Sequence, residues 1–341
     1  MQLTRPAPVE ERPLSPVELP VPEPGPGEVR IRVKACGVCH TDLHEVEGDL
    51  PLPRLPLVPG HEVVGVVDRL GGDAPGPAVG TRVGVPWLHS TCGECRFCRS
   101  GRENLCEDIR FTGYSVDGGY ADYLVVPAGF CYPLPGGFTD AEAAPLMCAG
   151  VIGYRALRQA GVGPRSSGNR HSSIDIRPRV GLYGFGASAH ICLQVARHWG
   201  WRVAVFTRAQ KHKDLARGLG ADWVGEASDT PPWKLDSGII FAPAGELVPV
   251  ALAHLDKGGT LAHAGIYSSP IPGFGYDLIY HERTLRSVAN STRQDVVELL
   301  ELAAEVPLQT TVETFPLREA NEALLAVKHS RLDAAAVMVV D

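Results

Sequence analysis

Val180-Gly181-Leu182-Tyr183-Gly184-Phe185-Gly186-Ala187-Ser188-Ala189 reads as a short apolar strand running into the pattern GxGxxA. Gly184, Gly186, Ala187 and Ala189 are the residues such a turn needs: small side chains for a tight bend, a close backbone approach to pyrophosphate, and a helix N-terminus facing an anion. Alone, the pattern is unspecific. Here apolar residues at Ile191, Val195 and Trp199 continue it as a helix, and Arg202-Val203-Ala204-Val205-Phe206 comes next as a second strand. Helical spacing at 215–219 and 248–255 then alternates with strand-like runs at 238–241, 258–261 and 284–289. That alternation predicts a doubly wound parallel sheet that binds a dinucleotide. Thr207-Arg208 stands where an NAD site places an acidic residue. A hydroxyl donor followed by a guanidinium tilts the expectation toward NADP(H) over NAD(H). Arg208 pointing to solvent, with both cofactors accepted, is the plain alternative.

Upstream, Val29, Ile31, Val33 and Ala35 alternate with Arg30, Arg32 and Lys34, the period of a half-buried strand. It delivers Gly37-Val38-Cys39-His40-Thr41-Asp42-Leu43-His44, which packs a thiol, two imidazoles, a hydroxyl and a carboxylate into eight residues. His61-Glu62 and Cys148 lie further on, Cys148 on a helix that continues through Tyr154, Leu157 and Ala160. Cys39, His61 and Cys148 compose a Cys₂His set that leaves a fourth position open, as catalytic zinc requires. By spacing alone the triplet is a weak signal, and two buried cysteines with a surface histidine are the favoured reading. Cys92-x2-Cys95-x2-Cys98-x7-Cys106 is more specific: four thiols in fifteen residues form a closed tetrahedral zinc site that pins a polar loop. A redox CxxC pair and a nucleic-acid zinc ribbon are the competing readings. Glu94, Glu103, Glu107 and Asp108 beside these cysteines weigh against the ribbon.

The chain has 341 residues, a formal net charge of -7 and nine cysteines. Its length suits two ordinary domains. The acidic balance argues against a nucleic-acid partner, and no run approaches the roughly 18 apolar residues of a membrane span. Met1 to Pro6 lacks the apolar segment of a signal peptide, so a cytoplasmic location is expected. Cys36, Cys131 and Cys192 read as packing residues, and an odd cysteine count favours metal sites over a disulfide framework. Many short strands with turn signals over 29–126 suggest a β-barrel-like first domain. Residues 164–179 are polar, basic and aperiodic, and read as an exposed insertion with a solvated-loop explanation for its arginines.

GVCHTDLH at 37–44, Gly60-His61-Glu62 and the Cys148 segment, in this order, closely resemble the zinc-dependent alcohol dehydrogenases of the medium-chain dehydrogenase/reductase family. The resemblance covers nearly the whole chain, interrupted only at 164–179. It implies an α/β protein: a GroES-like β-barrel catalytic domain at 1–150, a Rossmann domain at 151–289, and a return to the catalytic domain at 290–341. It also implies two zinc ions per chain, NAD(P), a small alcohol or aldehyde substrate, and a homodimer or homotetramer. Carried over residue by residue, it makes Cys39, His61 and Cys148 ligands of the catalytic zinc, with Glu62 close behind the metal. Thr41 and His44 become the proton relay, Asp42 the carboxylate that orients His61, and His40 a cofactor-phosphate contact. Trp87, by default a core residue, falls on the segment that lines the substrate pocket and would narrow it to small or flat substrates. A salt bridge for Glu62 and simple solvent exposure for His40 remain alternatives. The sequence departs from the family near the last strand, where Leu332 to Ala336 offers no arginine for pyrophosphate. The reading from another class is a nucleotide-binding structural or regulatory protein on the same scaffold, without turnover.

Overall fold

Val29, Ile31 and Val33, together with Ala35 and Cys36, are almost fully shielded from solvent, and they belong to the longest strand among the described residues, Glu28–Val38. The computed structural model describes residues 1–72, 74–164, 177–329, 331–332 and 335–340. Residues 165–176, the greater part of the expected insertion, lie outside the described residues, as do Asp333 and Ala334. The chain divides into two compact units, Met1–Val151 with Asn290–Asp341, and Ile152–Ala289.

In the first unit, Glu28–Val38 pairs antiparallel with Glu62–Leu70 on one side. Its other edge is shared between Tyr123–Pro127 near its start and Ala335–Val339 near its end. Arg82–Val85, Tyr132–Pro133 and Val312–Pro316 complete a seven-stranded sheet. The inward side chains of these strands, among them Val63, Val67, Val83, Val85, Leu124 and Val126, make one apolar core. Each such side chain contributes roughly 1.5–3 kcal/mol relative to exposure. The C-terminal strand belongs to this unit because Ala336, Val337 and Met338 are buried against Val38, Gly37 and Cys36. Near the N-terminus, Gln2–Leu3 pairs with Leu14–Ser15, and Asn321 fastens Leu14 through both its backbone groups.

The second unit holds six parallel strands in the order Trp223–Gly225, Arg202–Phe206, Arg179–Tyr183, Leu235–Ile240, Leu255–His263 and Thr284–Ser287. Strand order reverses beside Arg179–Tyr183, the switch point where open α/β sheets bind ligands at their carboxyl ends. Helices Ala187–His198, Gln210–Gly218 and Leu247–His254 connect successive strands. No helix of the described residues is long and apolar enough to cross a membrane.

One element differs from the sequence expectation. Instead of a single helix carrying Cys148 through to Leu157, the segment is broken. Asp140–Ala143 is helical, with a capping box between Thr139 and Glu142, and Ala144–Met147 tightens into a 3₁₀ turn with Pro145 in its first turn. Cys148 itself sits at the break (φ -129, ψ -71), before helix Ala149–Gln159 begins. Proline carries no backbone donor and restricts the residue before it, so the helix cannot pass through unaltered. The break frees Cys148 from a helical side-chain direction.

Candidate active site

Pairing of Gly37 with Glu62 brings the exit of the long strand beside the entry of its neighbour, so Cys39 and His61 face one another. Gly37 has a steric reason to be glycine: a Cβ there would overlap the Glu62 carboxylate. Cys39 caps helix His40–Glu47. Its Sγ accepts from the Thr41 N–H at 3.3 Å, while Asp42 Oδ2 accepts from the Cys39 N–H at 2.9 Å, a capping box with a sulfur in the usual hydroxyl position. A helix N-terminus favours a thiolate. Cys39 Sγ lies 3.3 Å from His61 Nε2, and Asp42 Oδ1 is 3.2 Å from His61 Nδ1, with the Asp42 and His61 side chains sealed from solvent. The Asp42 contact is an ion-pair distance without the alignment of a hydrogen bond.

Ligand atoms of Cys39, His61, Glu62 and Cys148 all fall within 4.8 Å of one another. A hydrogen bond from Cys148 and the charge on His61 hold the Cys39 thiol well below its usual range, against the opposing effect of burial. The same hydrogen bond, with burial, pushes Cys148 well up. Burial would lower His61, but Asp42 and Cys39 outweigh it and raise the imidazole. Burial and the Cys39 charge push the Glu62 carboxyl well up. Two thiols and two carboxyls thus share an interior with one imidazole, an excess of potential anions that protonation or a bound cation would offset. Two sulfurs, one imidazole nitrogen and an adjacent carboxylate suit zinc by softness and number.

Around this cluster, Trp87 lies with its ring centroid 5.7 Å from that of His61 and 4.6 Å from Phe111, and Tyr114 packs edge-on at 6.4 Å. The Thr112 N–H donates to the Trp87 carbonyl at 2.8 Å, which fixes the backbone that presents the indole. Thr41 is buried and His40 exposed, although they are neighbours on the same helix. His44 Nδ1 is 2.8 Å from Asp49 Oδ2.

Cys92, Cys95, Cys98 and Cys106 form the second candidate set, again with ligand atoms within 4.8 Å of one another. All nine cysteines are free thiols. Cys92 Sγ stands 3.5 Å from that of Cys106 and 3.9 Å from that of Cys98, and Cys95 stands 3.5 Å from Cys98. Backbone N–H groups of Cys95 and Cys98 donate to the sulfurs of Cys92 and Cys95 at 3.3 and 3.5 Å, a cradle that stabilises thiolates. In the second unit, Gly184 adopts φ +87, and a Cβ there would press to 2.9 Å from the Ala242 nitrogen. Gly186 caps helix Ala187–His198 with no side-chain hydrogen bond, and a Cβ on it would meet nothing within 4 Å. No side chain caps the first-turn N–H groups, the usual condition for binding an anion at a helix N-terminus. Thr207 is buried at the end of Arg202–Phe206 and Arg208 is exposed beside it. Lys213, which could add positive potential here, is instead paired with Glu226 at 2.8 Å.

Known proteins resemble this chain in sequence and fold. The model of the alcohol dehydrogenase GroES-like domain matches residues 25–136, and that of the zinc-binding dehydrogenase domain matches 189–305. A probable alcohol dehydrogenase AdhA of Mycobacterium tuberculosis is 45% identical, over 99% of this chain and 96% of its own. An alcohol dehydrogenase of Geobacillus stearothermophilus is 36% identical, over 97% of each. The chain belongs to the zinc-type alcohol dehydrogenases of the medium-chain family. Among solved structures, a cinnamyl alcohol dehydrogenase of Sorghum bicolor superposes with a TM-score of 0.87 at 27% identity, covering 99% of this chain and 97% of its own. As a zinc-type alcohol dehydrogenase, the protein is an NAD(P)-dependent oxidoreductase acting between alcohols and aldehydes or ketones. Its fold is the expected GroES-like barrel with a Rossmann domain.

Two residues of this dehydrogenase were invisible as site residues in the sequence. Glu45 is fully buried one helical turn from Asp42, with neither carboxylate oxygen hydrogen-bonded, and burial followed by the Asp42 charge pushes its carboxyl well up. The only hint was its place on the inward face, four residues after Thr41. Asp49 lies beyond the helix end, and no periodicity links it to His44.

Proposed function

We propose that Cys39, His61 and Cys148 hold a catalytic zinc with Glu62 behind it, and that Cys92, Cys95, Cys98 and Cys106 hold a second, structural one. The observation that carries this is the pair of four-residue clusters, one joining two sulfurs and an imidazole to a buried carboxyl, the other all sulfur. When bound, the catalytic zinc supplies a Lewis acid that polarises the substrate oxygen. Asp42 keeps the His61 ring turned so that Nε2 faces the ligand cluster. Thr41 Oγ would accept the proton of the substrate hydroxyl while releasing its own, which His44 passes outward as the base. Trp87, packed at a tilt against Phe111, presents a flat wall that selects small or planar substrates. His40, exposed at the start of its helix, contacts a cofactor phosphate. Gly184, Gly186, Ala187 and Ala189 receive the pyrophosphate, and Thr207 with Arg208 favours NADP(H). Lys213 adds little, since Glu226 offsets its charge.

The protein acts as a homodimer or homotetramer. Supporting this, Tyr267, Ile271, Phe274, Tyr276, Ile279 and Tyr280 are exposed in the segment that precedes Thr284–Ser287, the edge strand of the six-stranded sheet. An uncovered edge beside exposed aromatics invites a second copy. A cytoplasmic setting fits nine free cysteines, which an oxidising compartment would endanger.

The test combines metal content with turnover. The purified protein should carry about two zinc ions per chain and oxidise alcohols with a nicotinamide cofactor. Cys39→Ser and His61→Ala should each drop to about one zinc and lose turnover, while circular dichroism and cofactor binding persist. Near-normal turnover in either variant would remove the catalytic assignment.

A further inference from the structure

His44 sits in the last turn of helix His40–Glu47, and the chain beyond the helix folds back over it. Gly48 adopts the left-handed conformation (φ 85), and its N–H bonds to the carbonyls of His44 and Glu45. The Leu50 N–H also donates to the His44 carbonyl, at 3.2 Å. Asp49, held between those two anchors, is brought against the imidazole of His44, with Oδ2 2.8 Å from Nδ1. A carboxylate offers only acceptors, so in the neutral ring this contact favours the Nδ1–H tautomer, with the lone pair on Nε2. Of the other acidic groups on and beside this helix, Asp42 lies against His61, Glu45 is buried, and Glu47 and Glu10 are tied to Lys328. Glu47 accepts from Lys328 Nζ at 2.7 Å and from the Val9 N–H at 3.0 Å, and Glu10 shares the same lysine.

We propose that Asp49 is the positioning residue of the proton relay: it selects the Nδ1–H tautomer of His44 and fixes the ring so that Nε2 is the nitrogen that exchanges the proton. The proposal rests on the reading of His44 as the outer base. The contact is partly exposed, with 18% of the His44 side chain and 41% of the Asp49 side chain open to solvent. Such pairs contribute little to stability, so the effect of Asp49 belongs in turnover.

The experiment compares zinc-loaded parent, His44→Gln, Asp49→Ala, Asp49→Glu and the Asp49→Ala/His44→Gln double variant in alcohol oxidation, with nitrogen-15 spectra of the His44 ring. His44→Gln should lose about a hundredfold in kcat, the lower end of general-base contributions. Asp49→Ala should lose about tenfold in kcat with KM nearly unchanged, and Asp49→Glu should recover most of it. In the His44→Gln background the Asp49→Ala loss should vanish, because both act through one group. The ring spectrum should change from the Nδ1–H to the Nε2–H form in Asp49→Ala. Activity lost in His44→Gln but unchanged in Asp49→Ala, or losses that simply multiply, would overturn the role of Asp49 and leave the base in place. Full activity in His44→Gln would overturn the base, and the proposal with it.

Discussion

Thr207 and Arg208 occupy adjacent positions with opposite exposure, and the contrast suggests how the adenosine ribose is read. The Thr207 N–H bonds to the Gly225 carbonyl at 2.8 Å, which ties the end of the second strand of the unit to the end of the third and holds the Thr207 side chain at a defined place. Arg208 is exposed, and on the proposed reading it would order against a 2′-phosphate at the cost of side-chain entropy. A carboxylate at 207 would bond the ribose hydroxyls and repel that phosphate. Hydrogen bonds to charged groups are worth about 1.5–3 kcal/mol, or roughly tenfold to a hundredfold in selectivity. The parent should therefore show a higher kcat/KM with NADP(H) than with NAD(H). Thr207→Asp/Arg208→Ala should shift the ratio toward NAD(H) by about tenfold or more. A parent that strongly prefers NAD(H), with no movement in the double variant, would defeat this reading.

Between residue 92 and residue 106 the chain has almost no apolar material to bury. Helix Arg96–Arg99 is a single turn with no buried residue, and Cys106 and its neighbours Glu103 and Asn104 are the shielded members of the loop. Glu103 accepts from Arg293 at 3.0 Å through the backbone N–H and at 3.3 Å through the guanidinium, which tethers the loop to helix Arg293–Glu305 within the same unit. Such a loop gains little ordering free energy from packing, and the proposed structural zinc would supply it through thiolate–metal bonds. Cys106→Ser or Cys95→Ser should lower the melting temperature and solubility first, with turnover falling as a consequence. Treating the parent with a strong chelator should do the same for the lobe. If either variant kept its melting temperature and lost only activity, the structural and catalytic sites would have to be exchanged.

At the scale of the whole molecule, the exposed aromatics of 267–280 predict association. Light scattering at micromolar concentration should give a dimer or tetramer, and Tyr276→Asp/Tyr280→Asp should shift the population toward smaller species. A monomer across the accessible concentration range would exclude the assembly. The two chemistries of the chain were legible in its sequence for a local reason. A GxGxxA turn, a Cys₄ loop and the Cys39 helix each complete their geometry within about fifteen residues, where residue identity and backbone conformation are tightly coupled. The strand periods of the barrel and the alternation of the Rossmann sheet were legible on the same ground, since side-chain direction obeys the strand and helix periods. What only the tertiary structure decided is everything that depends on register and on breaks. The opposition of Gly37 to Glu62 sets Cys39 beside His61, and a slip of one residue would turn His61 to the other face. The break at Pro145, which no helical period announces, lets Cys148 join them. The burial of Glu45 and the fold-back that sets Asp49 on His44 arise from packing and from a left-handed glycine. Contacts of that kind are fixed by the free energy of the assembled core rather than by any short pattern, because the same residues elsewhere would face water.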